Sequence, residues 1–427
     1  MEKLLTKEKY EYCKSILKDE LIPAMGCTEP IAIAYAAAKA KQTLGVFPKS
    51  CKIAVSGSIL KNAKSVVVPH TGGMRGIEAA VIAGLVGGDA DAALEVISKV
   101  SDEQIVIIKS LANSFPIEVS VSDSDLAFDI QITLITDINT SFVRIASRHT
   151  HIVCIKKNDE VLYESAIDEV GDDKAPTLSV AEITEFADTV DINDVKPILD
   201  RQIDYNMAIA REGLSGNWGA TIGKVYLTAY ASDISIKAKA YAAAGSDARM
   251  NGCELPVIIN SGSGNQGMTA SIPVIIYWEH MELERDMLYR ALTLSNLLTV
   301  HIKTGIGTLS AYCGAVAAGA AAGAGIAYLH GGGLKEIAHT LVNALAIDSG
   351  LICDGAKASC AAKIATAVEN GILGYYLYRA GHQFVGGDGI VTKGVENTIS
   401  NVCRLAKDGM RETDKEIIDI MLDTKKR

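Results

Sequence analysis

The sequence predicts an α+β protein in which a mainly helical, Ala/Gly-rich domain carries an inserted α/β domain. Three changes in the residue pattern along the chain predict this class. Residues 1–45 have the pattern of two helices. Residues 51–165 contain segments that alternate apolar and polar side chains, as half-exposed antiparallel strands do. From about residue 180 onward the chain is rich in Ala, Gly and small polar residues, which is typical of closely packed helices.

Domain boundaries follow from these changes. We expect residues 1–50 and 180–427 to form the helical domain that carries the catalytic chemistry. Residues 51–179 are expected to form the α/β domain together with its linker. The acidic segment from Asp168 to Lys174 is the expected linker, because its residues favour a solvated turn over a metal-binding loop.

The inserted domain contains five predicted strands and one predicted helix. Residues 76–86 form the helix, which lies between the first strand and the others. The alternation of side chains and the content of Ile, Val and Phe predict strands at Lys52–Ser56, Ile117–Val121, Phe128–Leu134, Phe142–Ala146 and His151–Ile155.

The segment from Thr304 to Leu329 has no charged side chain and is long enough to span a bilayer. Most of its residues are Ala and Gly, however, and few are Leu, Ile or Phe. Gly319 and Gly323 have the GxxxG spacing that lets helices approach closely. We therefore expect a buried central helix, beginning near Thr308, and not a membrane span.

Composition indicates a cytoplasmic enzyme from a reducing compartment. The chain has 427 residues, of which 48% are hydrophobic and 22% charged, so a large core is possible without disulfides. Its nine cysteines are scattered and odd in number, which argues against a secreted disulfide framework. The first nine residues lack the apolar core of a signal peptide. A net charge of −10 gives no basic surface for nucleic acid.

Three cysteines lie in small-residue settings near predicted helix starts. Cys27 precedes Thr28, a good N-cap, and Cys353 precedes Asp354, a good N-cap for a helix from about residue 357 to 367. Helix N-termini favour a thiolate and an anionic metal cluster. Cys313 is expected within the Ala/Gly helix. Three thiolates can hold a cubane iron–sulfur cluster with one open iron, although a free cysteine is more often a small buried hydrophobe.

Six longer motifs carry a resemblance to a known family. The chain resembles the iron–sulfur L-cysteine desulfidases, which are related to the iron–sulfur L-serine dehydratases. The resemblance implies that Cys27, Cys313 and Cys353 ligate a 4Fe-4S cluster, with Cys360 as a possible fourth ligand. The motifs that carry it are MGCTEP at 25–30, PHTGGMRG at 69–76, SGNWGATIGK at 215–224, NSGSGNQG at 260–267, KTGIGTLSAYCGA at 303–315 and CDGAKASCA at 353–361.

The glycine-rich segment 262–267 fits G-x-G-x-x-G but predicts an anion site and not a dinucleotide site. Only four residues separate it from Ile272-Pro273, which are too few for an undisturbed crossover helix. Backbone amides and polar side chains in such a loop can surround a carboxylate, and a tight structural turn is the alternative. The resemblance supports an amino-acid site here, with Ser261, Ser263, Gly264, Asn265 and Gln266 as substrate-binding residues.

A second small-residue loop, at 69–76, supplies further candidates. His70 is a candidate acid or base, and Thr71, Gly72 and Gly73 are candidate substrate contacts. Asn217, in the motif SGNWG, is another candidate contact. Arg75 and Arg249 are candidate partners for the substrate carboxylate, and either could instead form a structural ion pair.

The expected reaction is a non-redox β-elimination. L-cysteine would bind the open iron through its thiolate, a base would remove the α-proton, and the sulfur would leave. The 2-aminoacrylate would then hydrolyse to pyruvate and ammonia. Lys303, Lys357 and His70 are the candidate bases, and the sequence does not choose among them. An apolar pocket can lower the pKa of a lysine enough for this role.

Other functions remain open at this point. The same cluster could dehydrate L-serine, with hydroxide as the leaving group. Lys303 or Lys357 could instead form a Schiff base with pyridoxal phosphate. A non-catalytic cysteine-sensing or cluster-carrying protein would bind the amino acid without releasing sulfide. A homodimer is plausible, and an exposed iron would be sensitive to oxygen.

Overall fold

The structure is a computed structural model that describes residues 5–167, 177–307 and 309–423. The predicted linker at 168–174 lies outside these residues. Two helices and a short strand come first, as expected for residues 1–45. Their bounds are Lys7–Glu20 (α1), Pro23–Ala24 (β1) and Thr28–Leu44 (α2).

The middle of the chain forms a six-stranded sheet with three helices. In the sheet the strand order is β3-β2-β4-β5-β6-β7, in which β2 and β3 are parallel and all other neighbours are antiparallel. Helix α2 packs against β4 and β5. The elements are β2 (Ser50–Val55), α3 (Gly57–Ala63), α4 (Gly76–Gly87), α5 (Asp102–Leu111), β3 (Ile117–Val121), β4 (Asp129–Ile135), β5 (Thr140–Ala146), β6 (Ile152–Lys157) and β7 (Glu160–Glu164).

In the described part of the remaining chain, the regular elements are helices and one short strand, β8, which pairs with β1. Short helical turns also occur at Ala93–Glu95 and Leu405–Gly409. The elements are α6 (Val180–Thr189), α7 (Ile192–Ser215), α8 (Ile222–Ala229), α9 (Ile234–Met250), β8 (Val257–Ile258), α10 (Gly264–Met281), α11 (Arg285–Ile306), α12 (Gly314–Leu329), α13 (Leu334–Asp348), α14 (Cys360–Arg379), α15 (Val395–Arg404) and α16 (Arg411–Asp423).

The predicted fold class is confirmed. All five predicted strands are present with shifts of at most two residues at their ends, and the predicted helix at 76–86 is α4. The sequence pattern missed β7, because this edge strand is exposed along its whole length and has no buried face to create a signal. The division into domains at 1–50, 51–179 and 180–427 stays a prediction.

Helix α12 is the centre of the helical part, since α10, α11, α13 and α14 all pack against it. Its glycines allow main-chain contact with α14. A Cβ built on Gly319 would lie 2.4 Å from the carbonyl oxygen of Ala367, and one on Gly371 would lie 2.0 Å from that of Gly319. The prediction of a buried helix is therefore confirmed. No helix in the described ranges is long and apolar enough to cross a membrane.

Three local predictions about helix starts are wrong. Helix α12 begins at Gly314 and not near Thr308, so Cys313 is its N-cap and does not lie inside it. Helix α14 begins at Cys360, six residues after Asp354, because the Asp354 carboxylate is held by salt bridges to Lys357 and Lys363. Cys27, and not Thr28, is the N-cap of α2.

The expectation of a broken helix after the glycine loop is also wrong. Helix α10 runs from Gly264 to Met281 with Pro273 inside it. A proline in a helix interior removes one hydrogen bond and costs roughly 3 kcal/mol, but nearly every residue of this helix up to Tyr277 is buried, and that packing holds it. A dinucleotide fold is still unsupported, since the strand before the loop, β8, pairs antiparallel with β1.

Candidate active site

Cys313 and Cys353 are neighbours on two chain segments joined by an antiparallel bridge between Tyr312 and Ile352. The Cys313 amide donates to the carbonyl of Leu351 (3.0 Å), and the Cys353 amide donates to that of Ala311 (2.6 Å). This register makes the two cysteines diagonal neighbours on one face of the bridge. Such neighbours have Cα atoms about 7–8 Å apart, with side chains within reach of each other.

Cys27 and Cys360 occupy the starts of two other helices, α2 and α14. Both pack with Val66 and Met250 in one small apolar cluster. The charge of Cys353 contributes to raising the pKa of Cys360, which links this cluster to the bridged pair. We call the space around these four thiols the thiol pocket. The pocket therefore draws its sulfur atoms from residues that are up to 333 positions apart in the chain.

Burial desolvates the thiols of Cys27, Cys313 and Cys360. Burial raises the pKa of Cys27 well above its usual value, and the Glu29 carboxylate, which accepts a hydrogen bond from the Cys27 thiol (3.0 Å), raises it further. Burial also raises the pKa of Cys360, and burial together with the charge of Cys353 raises that of Cys313. Thiolates in this setting need a cation or metal to offset their charge.

Lys303 is a buried cation near Cys313 and Cys353. Its side chain comes from the last turn of α11, is 6% exposed as a residue, and donates to the carbonyl of Gly307. Burial lowers the pKa of Lys303 to about 8, although the charges of Cys353, Cys313 and Cys403 oppose this shift. A lysine with such a pKa is partly neutral near physiological pH and can accept a proton.

The glycine loop, residues 260–267, lies between Cys27 and Cys313. The Thr28 hydroxyl, next to Cys27, donates to the carbonyl of Gly262 (2.9 Å). At the other side the Gln266 amide lies against Gly314, where a Cβ would come within 2.7 Å of the Gln266 Cδ. The structure thus brings the glycine loop to the thiol pocket, with the starts of α2, α10 and α12 around it.

Within this loop some polar groups are used for folding and others are not. The Ser261 hydroxyl donates to the Asn260 side chain (2.8 Å), and the backbones of Asn260 and Ser263 hydrogen-bond to each other. Asn265 Oδ1 and Gln266 Oε1, in contrast, are buried without a hydrogen-bond partner. Buried polar atoms of native proteins are nearly always paired, so these two oxygens indicate a ligand site.

Arg249, in the last turn of α9, faces the start of the glycine loop. A Cβ on Gly264 would lie 2.4 Å from Arg249 Nε and 2.7 Å from Cζ. Burial lowers the pKa of Arg249, and the charges of Cys27, Glu29 and Cys360 oppose this shift. The other candidate arginine, Arg75, is exposed and donates to the carbonyl of Ser65 (2.8 Å), as part of a turn.

The proline–histidine loop, residues 69–76, touches the pocket only at its beginning. Pro69 packs on Gly26, where a Cβ would lie 2.4 Å from its ring. His70 has a left-handed backbone (φ 53°), and its Nδ1 lies 3.3 Å from the Glu254 carboxylate. Its Nε2 is buried without a hydrogen-bond partner.

The tip of this loop makes its contacts within the loop itself and with helix α5. The buried Thr71 hydroxyl donates to the carbonyl of Val68 (2.7 Å) and accepts from the amide of Met74 (3.1 Å). Gly72 lies against the side chain of Lys109 in α5, and a Cβ on Gly73 would have no neighbour within 4 Å. The contacts of Thr71 and Gly72 are thus those of a folded turn.

Two further predicted residues lie in more exposed positions. Asn217 is exposed and accepts a hydrogen bond from Lys224 (3.3 Å). The Lys357 side chain is 37% exposed and forms a salt bridge with Asp354. Lys357 is therefore committed to an ion pair on the partly exposed side of its segment.

Two residues of the pocket were not assigned a role from the sequence. Glu29 is buried and accepts hydrogen bonds from Cys27, Thr28 and Asn62. Burial alone would raise its pKa, but His149, the Cys27 hydrogen bond and Arg249 lower it below its usual value. The motif MGCTEP contained a signal for Glu29, namely an acid in the first turn of an otherwise apolar helix.

His149 comes from the turn between β5 and β6 and lies beside Gly262, where a Cβ would come within 2.8 Å of its ring. Burial lowers the pKa of His149, and its Nε2 has no hydrogen-bond partner. Its sequence context, Ser-Arg-His-Thr-His, is that of an exposed hairpin turn, so no local signal could have predicted its burial.

A wide surface cleft lies away from these residues. It is lined by His330, His339, Tyr375 and Arg379, among others, and by none of the described residues predicted as site residues. With a rise of 1.5 Å per residue, α12 separates its N-cap Cys313 from His330 by about 25 Å. The cleft and the thiol pocket are therefore at opposite ends of the central helix.

Comparison with known proteins assigns this chain to a family. The family model for the serine dehydratase alpha chain matches residues 75–419, which is most of the chain. This chain belongs to the serine dehydratase alpha-chain family. Dehydratases are lyases, so the family is one of lyase-type enzymes. The matched segment includes Cys313, Cys353, Lys303, Arg249 and the glycine loop.

Relatives resemble this member of the serine dehydratase alpha-chain family over nearly their whole length. A UPF0597 protein of Desulfitobacterium hafniense is 58% identical over 419 residues, covering 97% of each chain. One of Lachnoclostridium phytofermentans is 49% identical and covers 97% of this chain and 100% of its own. One of Finegoldia magna is 47% identical, with 96% and 98% covered. The relation to serine dehydratases expected from the sequence motifs is thus confirmed.

Proposed function

We propose that this protein is an L-cysteine desulfidase, which eliminates hydrogen sulfide from L-cysteine and yields pyruvate and ammonia. The observation that carries the proposal is the placement of Cys313 and Cys353 on adjacent bridged segments near the buried Lys303, with Cys27 and Cys360 packed together in a neighbouring apolar cluster. The family contributes the reaction type, since loss of water from serine and loss of hydrogen sulfide from cysteine are the same β-elimination.

Whether the thiol pocket fits the 4Fe-4S cluster that the resemblance implies depends on the spacing and burial of its thiols. Among the residues that the structure describes, no three His, Cys, Asp or Glu side chains are close enough to share a single metal ion. A cubane requires a wider shell, with ligand sulfurs roughly 6–7 Å apart. The diagonal placement of Cys313 and Cys353, the buried thiols and the surrounding helix N-termini fit such an anionic cluster.

Cys27, Cys313 and Cys353 would hold the cluster, and Cys360 would remain a free thiol beside it. When bound, the cluster supplies a Lewis-acidic iron that can hold the sulfur of the substrate and assist its departure. All other steps in the proposal belong to side chains of the protein. The homodimer stays a prediction.

Lys303 is the base that the geometry favours. Its Nζ would take the α-proton of L-cysteine, because burial keeps a fraction of this lysine neutral. His70 remains a second candidate, since its Nε2 is buried without a partner, although its Nδ1 faces Glu254. Lys357 is less suited, because its side chain is partly exposed and is occupied by the ion pair with Asp354.

The glycine loop would orient the backbone of the amino acid. Its position between Cys27 and Cys313 lets it hold the substrate carboxylate and ammonium while the sulfur lies at the thiols. Loss of the α-proton to Lys303 and loss of hydrosulfide then leave 2-aminoacrylate. This product tautomerises to an imine and is hydrolysed by water to pyruvate and ammonia.

The test uses full-length protein prepared and reconstituted with iron and sulfide under anaerobic conditions. We expect the broad visible absorption of an iron–sulfur protein, and equal amounts of sulfide and pyruvate from L-cysteine. Sulfide release without a cluster spectrum, or a sharp aldimine band, would contradict the proposed chemistry. Binding of L-cysteine with neither product would instead indicate a sensing or carrier protein.

L-serine dehydration is the second candidate function, because the family model is that of a serine dehydratase. The same preparation decides between the two through the ratio of kcat/KM for L-cysteine to that for L-serine. A desulfidase should have a ratio well above one. Pyruvate formed from L-serine alone would assign the protein to dehydration.

A further inference from the structure

Arg249 has an unused hydrogen-bonding edge inside the protein. The residue is 2% exposed, and its Nε and Nη2 are both buried without a hydrogen-bond partner. These two nitrogens point along the same edge of the guanidinium group, which is the edge that binds a carboxylate through two parallel hydrogen bonds. A buried fork of this kind is costly unless a ligand fills it.

No acid of the described chain fills this position. Arg249 takes part in no salt bridge among the described residues, although it senses the charge of Glu29. The Glu29 carboxylate is committed to hydrogen bonds from Cys27, Thr28 and Asn62. The guanidinium charge is therefore available to an anion from outside the chain.

The surroundings restrict what this anion can be. Gly264, the first residue of α10, has no side chain to cover the fork, and its Cβ would collide with Nε. The helix N-terminus adds free amides and positive potential on the same side. Close by in the loop, Asn265 Oδ1 and Gln266 Oε1 are buried acceptors without donors. The site thus offers donors for an anion and acceptors for a cation a short distance apart.

We propose that Arg249 binds the α-carboxylate of an α-amino acid through its Nε and Nη2, while the side-chain oxygens of Asn265 and Gln266 accept hydrogen bonds from the α-ammonium group. This inference rests on the proposed function for the amino-acid substrate, and it names the groups that recognise the zwitterion. It also selects Arg249 over Arg75, whose guanidinium is used in a surface turn.

The experiment removes one charge at a time from the ligand and one partner at a time from the protein. Cysteamine lacks the carboxylate of L-cysteine, and 3-mercaptopropionate lacks its ammonium group. Both are measured as competitive inhibitors of the wild-type holoenzyme and of Arg249→Gln, Arg249→Lys, Asn265→Ala and Arg75→Gln. Binding of L-alanine, which has no leaving group, is measured on the same proteins by calorimetry and by the shift in Tm.

The expected pattern is specific. Arg249→Gln should weaken L-alanine and 3-mercaptopropionate by about 10- to 100-fold, the loss typical of charge-assisted hydrogen bonds, and should leave cysteamine unchanged. Arg249→Lys should recover only part of the loss, because an ammonium cannot bind a carboxylate through a fork. Asn265→Ala should weaken L-alanine and cysteamine but not 3-mercaptopropionate. Arg75→Gln should match the wild type.

Two outcomes would overturn the inference. One is an unchanged Kd for L-alanine in Arg249→Gln, and the other is an equal loss for all three ligands, which would mean a general disturbance of the pocket. If Arg249→Gln does not fold, Arg249→Lys still tests the fork. If the wild type and its variants bind L-alanine with the expected differences but the wild type releases no sulfide from L-cysteine, the proposed function fails while the recognition of the amino acid stands.

Discussion

The proline–histidine loop and the glycine loop are both glycine-rich, and each contains a residue in a left-handed conformation, His70 and Ser261. They differ in how they use their polar groups. At the tip of the proline–histidine loop, Thr71 hydrogen-bonds within its own turn, and the buried atom without a partner is His70 Nε2 at the beginning of the loop. In the glycine loop, Asn265 and Gln266 keep buried oxygens without partners.

This difference separates a turn from a binding loop. A turn consumes its donors and acceptors to fix the chain, so adding a ligand gains little. A loop with buried unsatisfied groups is less stable alone and gains free energy when a ligand pairs them. Glycine content cannot distinguish the two cases, because residues 69–76 and 260–267 each contain three glycines.

The largest expected effect comes from removing one of the thiols of the thiol pocket, near the glycine loop. Cys353→Ala should lose both iron and sulfide release, because two ligating thiols cannot hold a cubane with one open iron. Iron content, the visible spectrum and sulfide are measured on anaerobic protein. Cys154→Ala, a change in strand β6, serves as the control for loss of a buried thiol and should retain iron.

Cys360→Ala sharpens the same test. This variant should keep the cluster and most of the activity, since Cys360 is expected to remain unligated. Equal loss in Cys353→Ala and Cys360→Ala would refute an open iron.

A smaller loss is expected when the base is removed. Lys303→Met should lower kcat by about 10²- to 10⁴-fold, the usual contribution of a positioned base, with little change in substrate binding. The exchange of the α-proton of L-cysteine with solvent deuterium measures this step directly. If Lys357→Met or His70→Asn abolishes the exchange and Lys303→Met does not, the role of base moves to that residue.

The two loops are compared most directly by a pair of substitutions. Asn265→Ala should lower kcat/KM by roughly one to two orders of magnitude and leave the cluster spectrum unchanged. Thr71→Val should instead lower the free energy of unfolding by about 1–3 kcal/mol, because it leaves the Val68 carbonyl and the Met74 amide unpaired, and should leave KM unchanged. A large rise in KM for Thr71→Val would show that both loops contact the substrate.

The smallest expected effect is on stability in acid. Burial lowers the pKa of His149 below the ordinary value of 6.5, so the unfolded chain takes up a proton first as the pH falls. This contribution to stability is complete above pH 6.5 and is lost progressively below it. His149→Gln should flatten the decline in the free energy of unfolding between about pH 6.5 and 5, as measured by denaturant titration. An unchanged decline in His149→Gln would contradict a role of this histidine in stability at acid pH.

Much of the fold was predictable because its signals are local. The alternating strands from β2 to β6, the buried Ala/Gly helix and the helix start beside Cys27 each follow from a few neighbouring residues. Local signals also led to errors. Asp354 is a good N-cap by residue type, but its salt bridges with Lys357 and Lys363 hold it outside the helix.

The groups of the candidate site that come from distant segments were not predictable in the same way. The hydrogen bond from Thr28 to Gly262 joins residues 234 positions apart. Nothing near His149 indicates that its turn is covered by the glycine loop. Arg249 was recognised as a possible carboxylate partner, but only its burial and its contact with Gly264 separate it from Arg75.

The contact between α12 and α14 has a further consequence for how the pocket is assembled. Gly319 and Gly371 bring the two main chains together, so the helices that begin beside Cys313 and at Cys360 are spaced by backbone atoms and not by rotatable side chains. A spacing of this kind varies little with temperature or with substitutions elsewhere in the core. The distance between the backbones that carry Cys313 and Cys360 is therefore set by the contact of the two helices when the protein folds.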